Sequence, residues 1–280
     1  VKLIAAKTGG FCMGVQRAVN MALSAANSDG APVKTLGPLI HNPQVLRFLK
    51  TKHIEAVEQI PSSGPGIILI RAHGVPPLIK SMLEESKFKV IDATCPRVIK
   101  VQTIIDKFVK QGFASIIIGD KNHPEVVGLL GYAAENGYVV ENIDSLIRLP
   151  VFEKAIIVAQ TTQNTAEYSK IKEWANKNRP HYKVFNTICD STEKRQDEVR
   201  CIAASVDAIL IIGGYNSGNT QRLFEIAKQI NSNAFHIETE ADLDYTLLAG
   251  ANSIGISAGA STPDWIINRV CQALKENCFQ

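Results

Sequence analysis

Short apolar runs alternate along this chain with longer stretches in which apolar residues recur every three or four positions. Turns rich in Gly, Pro or small polar residues separate the two kinds of segment. The short runs predict strands at Leu3–Ala6, Val33–Leu36, Ile67–Ile70, Val90–Ile91, Ile116–Ile118, Ala155–Val158, Val184–Asn186, Ala208–Ile212 and Ser253–Ile256. Helical periodicity is plain over Val15–Ala26 and Ser169–Asn178. Strands separated by helical crossovers pair in parallel, and ligands of such sheets bind beyond the carboxyl ends of the strands. The expected class is therefore α/β, with chemistry concentrated in the loops that follow strands.

Polar residues do follow the strands, in a repeating order. Cys12, His41 and His73 come first, then Cys95, His123 and the pair Thr161 and Thr162, then Cys189, the segment 216–219 and Ser261. His41 lies 29 residues beyond Cys12, His123 lies 28 beyond Cys95, and Ser217 lies 28 beyond Cys189. This spacing predicts three similar α/β units about a shared centre, with boundaries at 1–96, 97–189 and 190–280. Cys12, His41 and His73 fall in the first; His123, Glu125 and Thr161 in the second, with Cys95 and Cys189 at its borders; Ser217, Asn219 and Ser261 in the third.

Composition narrows the partners. Thirty basic against twenty-seven acidic residues give a formal charge of +3, with no basic run interleaved with aromatics, so nucleic acid is not an expected ligand. The apolar runs are far shorter than the roughly 20 residues a membrane helix needs, and no signal-peptide pattern is read. The expectation is a soluble cytoplasmic protein without a membrane partner. Six cysteines are too sparse for a secreted disulfide scaffold, which favours thiol or metal chemistry.

The cysteines divide by context. Cys12 in GGFCMGVQRAV, Cys95 in DATCPRVIKV and Cys189 in NTICDSTEKRQ each follow a strand and precede a helix. There, unpaired N–H groups and partial positive charge favour a thiolate. Cys201, Cys271 and Cys278 lack that setting and read as small buried apolar residues. Three thiolates are too few to hold a four-iron cubane completely and leave one iron open, although zinc satisfies the same count.

His41, His73 and His123 occupy turns after different strands, and Ser217, Asn219 and Ser261 lie near helix starts. Such donors suit anionic oxygen, although capping and turn formation are the ordinary uses of Ser and Asn. In His123-Pro124-Glu125 the carboxyl falls in a first helical turn, where it either answers the helix dipole or supplies a proton. Thr161 and Thr162 read as structural or as a proton relay.

The segments GFCMGVQRAV, GPLIHNP, RAHGVPP, DATCPRV, HPEVVG, QTTQ, NTICDSTEKRQ, NSGNT and AGASTPDW, in this order along the chain, resemble the 4-hydroxy-3-methylbut-2-enyl diphosphate reductase family, also called LytB or IspH. The resemblance implies a trefoil of three pseudo-symmetric α/β domains around one [4Fe–4S] cluster. It implies Cys12, Cys95 and Cys189 as cluster ligands, with one iron not ligated by protein. His41, His73, His123, Ser217, Asn219 and Ser261 would hold the diphosphate of the allylic substrate, Thr161 would position that substrate or pass the proton, and Glu125 would be the proton donor. Gly218 departs from the many relatives that carry a second serine there, so only its backbone can serve. No G-x-G-x-x-G follows a predicted strand, so electrons are expected from outside, and the resemblance implies a small protein carrier such as ferredoxin or flavodoxin. Two alternatives stay open at this level: a quinolinate synthase-like cluster enzyme, and a noncatalytic metal-binding redox module.

Overall fold

A computed structural model describes residues 1–28, 32–62 and 66–278; the side chains of Ser28 and Cys278 lie outside the described part. Among these residues the chain forms three four-stranded sheets, every pair of neighbours parallel. The amino-terminal strand β1 (Lys2–Ala5) leads into α1 (Met13–Ser28). Next come β2 (Val33–Leu36), α2 (Pro43–Thr51), β3 (Ile54–Val57), β4 (Ile67–Ile70), α3 (Pro77–Glu84) and β5 (Lys89–Asp92), whose strands make a sheet of order β3-β2-β4-β5. After α4 (Pro96–Val109), a second sheet of order β7-β6-β8-β9 is built from β6 (Ala114–Ile118), β7 (Gly137–Val140), β8 (Ala155–Ala159) and β9 (Lys183–Val184), with α5 (Pro124–Ala133), α6 (Ile143–Ile147) and α7 (Thr165–Asn178) between them. The third sheet follows α8 (Asp190–Ala203) and contains β10 (Ala208–Ile212), β11 (Ala234–Ile237) and β12 (Ser253–Ala258), with α9 (Gly218–Ile230) and α10 (Asp264–Cys278). Its order is β1-β12-β10-β11.

All three sheets repeat one plan. The first strand of each set is central, the second is an edge, the third pairs with the first, and the fourth closes the far side. Two findings differ from the sequence reading. The amino-terminal strand, grouped by position with the first third, pairs with β12 and supplies the fourth strand of the last sheet. The strands β3, β7 and β11 have no counterpart among the predicted ones, and each is a sheet edge. IEAV and AFHI interrupt their apolar residues with Glu55 and His236, which an edge strand tolerates because it has a partner on one side only, and GYVV is a short run buried only at Val140.

The central strands show the opposite pattern. In β4, β6, β8 and β10 every residue is buried, which explains why all but Ser115 are Ile, Leu, Val or Ala: both faces of a parallel sheet are covered by helices. Alternation survives inside the runs. Ile117, Ile156 and Val158 pack with Val101, Ile105 and Phe108 of α4 and Val126 and Leu129 of α5. Ile116, Ile118, Ile157 and Ala159 face Tyr168 and Ile171 of α7. A helix entered from a cysteine thus packs on the sheet that follows it: α4, after Cys95, covers the second sheet, and α8, after Cys189, lays Val199 and Ile202 on Ile209 and Ile211 of the third.

Two compact units result. One comprises residues 1–15, 41–47 and 190–280 and contains the third sheet; the other comprises 16–40 and 48–189 and contains the first two. No helix among the described residues is long and apolar enough to cross a membrane. Ile117 is fully buried at the centre of the second sheet, so Ile117→Ala, which leaves a cavity there, is expected to cost about 2–5 kcal/mol. Denaturant unfolding of the two proteins measures that difference.

Candidate active site

In the unit containing the first two sheets, the site begins where β4 and β5 end. His73 lies three residues beyond β4, followed by Gly74 with φ +75°. A Cβ at Gly74 would fall 2.6 Å from Gln102 Nε2 and 3.1 Å from Thr94 Cγ2, so the turn admits only glycine. Cys95 is the N-cap of α4, with Pro96 behind it, and its amide donates to the Ala72 carbonyl at 2.9 Å. The loop before it is an Asx turn: Asp92 Oδ1 accepts from Thr94 N at 2.9 Å and from Thr94 Oγ1 at 2.5 Å, while Lys80 Nζ reaches Oδ2 at 3.1 Å.

The second sheet contributes an acid and its partner. His123 caps α5, its Nδ1 accepting from Glu125 N at 3.1 Å, so a neutral imidazole carries its proton on Nε2. Its ring meets that of His73 edge to face, with centroids 5.3 Å apart. Glu125, in the first turn of α5, is only 2% exposed. Its Oε1 accepts from Thr161 N at 2.6 Å and its Oε2 from Thr161 Oγ1 at 2.8 Å. The Thr161 carbonyl accepts from Cys189 N at 2.9 Å, so one residue links the carboxyl to the cysteine loop. Thr162 instead accepts from Gln160 Nε2 at 3.0 Å and supports the turn.

The other unit holds the remaining expected residues. Ser217 caps α9, accepting from Thr220 N at 3.4 Å. Ser261 Oγ donates to the His41 carbonyl at 3.1 Å and lies 3.4 Å from Ser217 Oγ. Asn219 Oδ1 accepts from Ala260 N at 2.9 Å, whereas its Nδ2, on a residue 5% exposed, has no hydrogen-bond partner among the described residues. A buried amide donor without an acceptor is costly unless a ligand supplies one, so this arrangement suits an anion. The amide of Cys12, just ahead of α1, donates to the Ala260 carbonyl at 3.1 Å.

Cys12, Cys95 and Cys189 are each outside any disulfide, partly exposed and at the start of a helix, a chemistry and setting that fit a metal-ligating thiolate. Cys201, expected to be buried, is instead exposed on α8, and Cys271 is half-buried, its thiol pushed up by burial. The chain matches the LytB protein family model over residues 3–275. It belongs to the LytB family. It is 40% identical over 272 residues to 4-hydroxy-3-methylbut-2-enyl diphosphate reductase of Alkaliphilus oremlandii, covering 96% of this chain and 98% of that one. Against the reductase of Aquifex aeolicus it is 42% identical over 290 residues, covering 99% and 97%. Among solved structures it resembles the E-1-hydroxy-2-methyl-but-2-enyl-4-diphosphate reductase of Plasmodium falciparum, with TM-score 0.94, 28% identity and coverage of 99% and 89%. A second structure, described as (E)-4-hydroxy-3-methyl-but-2-enyl diphosphate reductase, the terminal enzyme of the non-mevalonate pathway, matches at TM-score 0.71 and 41% identity, covering 99% of each chain.

Within this LytB chain, sequence reasoning missed the groups that hold the cysteine loops, Asp92 among them, because a lone Asp after a strand carries no signature of its own. Burial pushes the Asp92 carboxyl up, but the hydrogen bonds from Thr94 and Lys80 outweigh it and hold the group below its ordinary value of 3.8. A depressed carboxyl stabilises the fold above its unfolded pKa, and that contribution disappears as pH falls through the folded value. Asp92→Asn is therefore expected to lower the melting temperature at neutral pH. The gap from the parent should close below about pH 4, which thermal melts across an acid series measure.

Proposed function

We propose that this chain reduces (E)-4-hydroxy-3-methylbut-2-enyl diphosphate to isopentenyl and dimethylallyl diphosphates, the last step of the non-mevalonate route to isoprenoids. The observation that carries this reading is LytB membership over almost the whole chain, with relatives at about 40% identity named for that reaction. The balance is two electrons and two protons in, one C–O bond broken, and water out.

Cys12, Cys95 and Cys189 would hold one [4Fe–4S] cluster per chain, leaving one iron without a protein ligand. When bound, the cluster supplies the electrons and a Lewis-acidic metal. His41, His73, His123, Ser217, Asn219 and Ser261 hold the diphosphate through ring N–H, hydroxyl and amide donors. The buried Asn219 Nδ2 is the clearest support, since it awaits an acceptor. Glu125 gives the leaving oxygen its proton, because hydroxide is a poor leaving group and water a good one. The 2.8 Å contact to Thr161 Oγ1 serves both protonation states: the hydroxyl donates to the carboxylate and accepts from the carboxylic acid. Gly218 contributes only its backbone at the start of α9. An external one-electron carrier such as ferredoxin or flavodoxin, in the cytoplasm, delivers the electrons.

Anaerobic purification with iron and sulfide counting, followed by substrate and a chemical reductant, tests the reading. Both C5 diphosphates are expected, and an intact cluster without turnover would sink it. Glu125→Gln keeps the shape and removes the acid, so it should retain cluster and substrate binding while kcat falls about 10²- to 10⁴-fold. Parental kcat in that variant removes Glu125 from the mechanism. Serine at Cys12, Cys95 or Cys189 should abolish stoichiometric iron, whereas Cys201→Ser should load as the parent does. Equal loss in all four would break the assignment.

A further inference from the structure

Two arginines outside the catalytic set grip the loops that carry cysteines. Arg195 on α8 is 3% exposed; its Nε donates to the Thr8 carbonyl at 2.6 Å and its Nη2 to the Gly10 carbonyl at 2.5 Å. Glu198, one turn further along α8, accepts from Lys7 N at 2.7 Å, Thr8 N at 2.8 Å and Thr8 Oγ1 at 2.5 Å. Carbonyls and amides of the segment just before Cys12 are thus held by one helix. The segment needs an outside hold, because Gly9 and Gly10 leave it little stiffness of its own and Gly10 sits at φ +101°. Arg17 on α1 repeats the arrangement more loosely, with Nη1 3.2 Å from the Thr94 carbonyl and Nη2 3.5 Å from the Asp92 carbonyl, just before Cys95.

The chain order behind these contacts is informative. Arg195 lies on the helix that begins at Asp190, directly after Cys189, and Arg17 on the helix that begins at Met13, directly after Cys12. Each guanidinium therefore stands on a helix entered from one cysteine and fastens the approach to another. A planar fork that donates to two carbonyls fixes both position and orientation, which a lysine ammonium cannot reproduce.

We propose that Arg195 and Arg17 are positioning residues for the metal-binding thiols, Arg195 for Cys12 and Arg17 for Cys95. The proposal rests on the reading of those cysteines as cluster ligands, and its test separates the two. Arg195→Lys, Arg17→Lys and Glu198→Gln are made in the full chain, and alkylation of each cysteine by iodoacetamide is followed by mass spectrometry in the reduced, metal-free protein. Arg195→Lys should raise the rate at Cys12 about tenfold, the scale of one lost charge-assisted hydrogen bond, with Cys95 and Cys189 unchanged. Arg17→Lys should do the same at Cys95 alone. Glu198→Gln, which keeps the buried guanidinium, should again raise Cys12 alone if Arg195→Lys fails to fold. The metal-loaded variants should lose iron to a chelator faster and show a shifted electron paramagnetic resonance signal on reduction. A uniform rise at all three cysteines, a rise at the wrong one, or no rise overturns the proposal. A parent chain that binds no iron overturns the cluster reading instead and leaves the alkylation pattern to judge the positioning.

Discussion

In each of the three sheets a cysteine amide donates to a carbonyl two residues beyond the end of the neighbouring strand: Cys12 to Ala260, Cys95 to Ala72, Cys189 to Thr161. The bond is available only because the strands are parallel, so that the third and fourth strands of a sheet release their loops at the same edge. It ties the loop that carries sulfur to the loop that carries His73, the Thr161 and Thr162 pair, or Ser261. The sheet therefore delivers its thiol and its polar group together.

Two buried ionisable groups, Glu125 and Arg195, are then accommodated by these same loops. A polar or ionisable group out of water is costly unless hydrogen bonds replace its hydration. Glu125 meets that condition through the amide and hydroxyl of Thr161, and Arg195 through the carbonyls of Thr8 and Gly10. Solvation and positioning are one interaction here, since the groups that satisfy each side chain belong to the loop it holds in place. A side chain that lost its partner loop would be left buried and unsolvated, which resists displacement of either.

Helix starts add a third layer. Cys95 and His123 are followed by proline at the first helical position, where the missing amide hydrogen costs nothing. Ser217 spends its hydroxyl on the α9 cap and still lies beside Ser261. Capping and ligand binding are compatible in such residues because a hydroxyl has one hydrogen and two lone pairs.

The central strands, the α/β class and the threefold recurrence of polar loops after strands were legible in the residues themselves, because a strand buried on both faces is predominantly apolar and its loop turns polar as it leaves the sheet. The edge strands β3, β7 and β11 were not, since each is only four residues long and partly exposed, too brief a signal to stand out from a loop. The sheet joined by the amino-terminal strand was equally hidden: Lys2–Ala5 is apolar enough to pair anywhere, and only packing selects β12. The motifs named Cys12, Glu125 and Thr161 individually. That Thr161 bonds Glu125 while Thr162 supports a turn, and that Arg195 reaches back to Gly10, were decided by tertiary structure. Hydrogen bonds depend on distance and direction in space, and residues 36 or 185 positions apart carry no local trace of either.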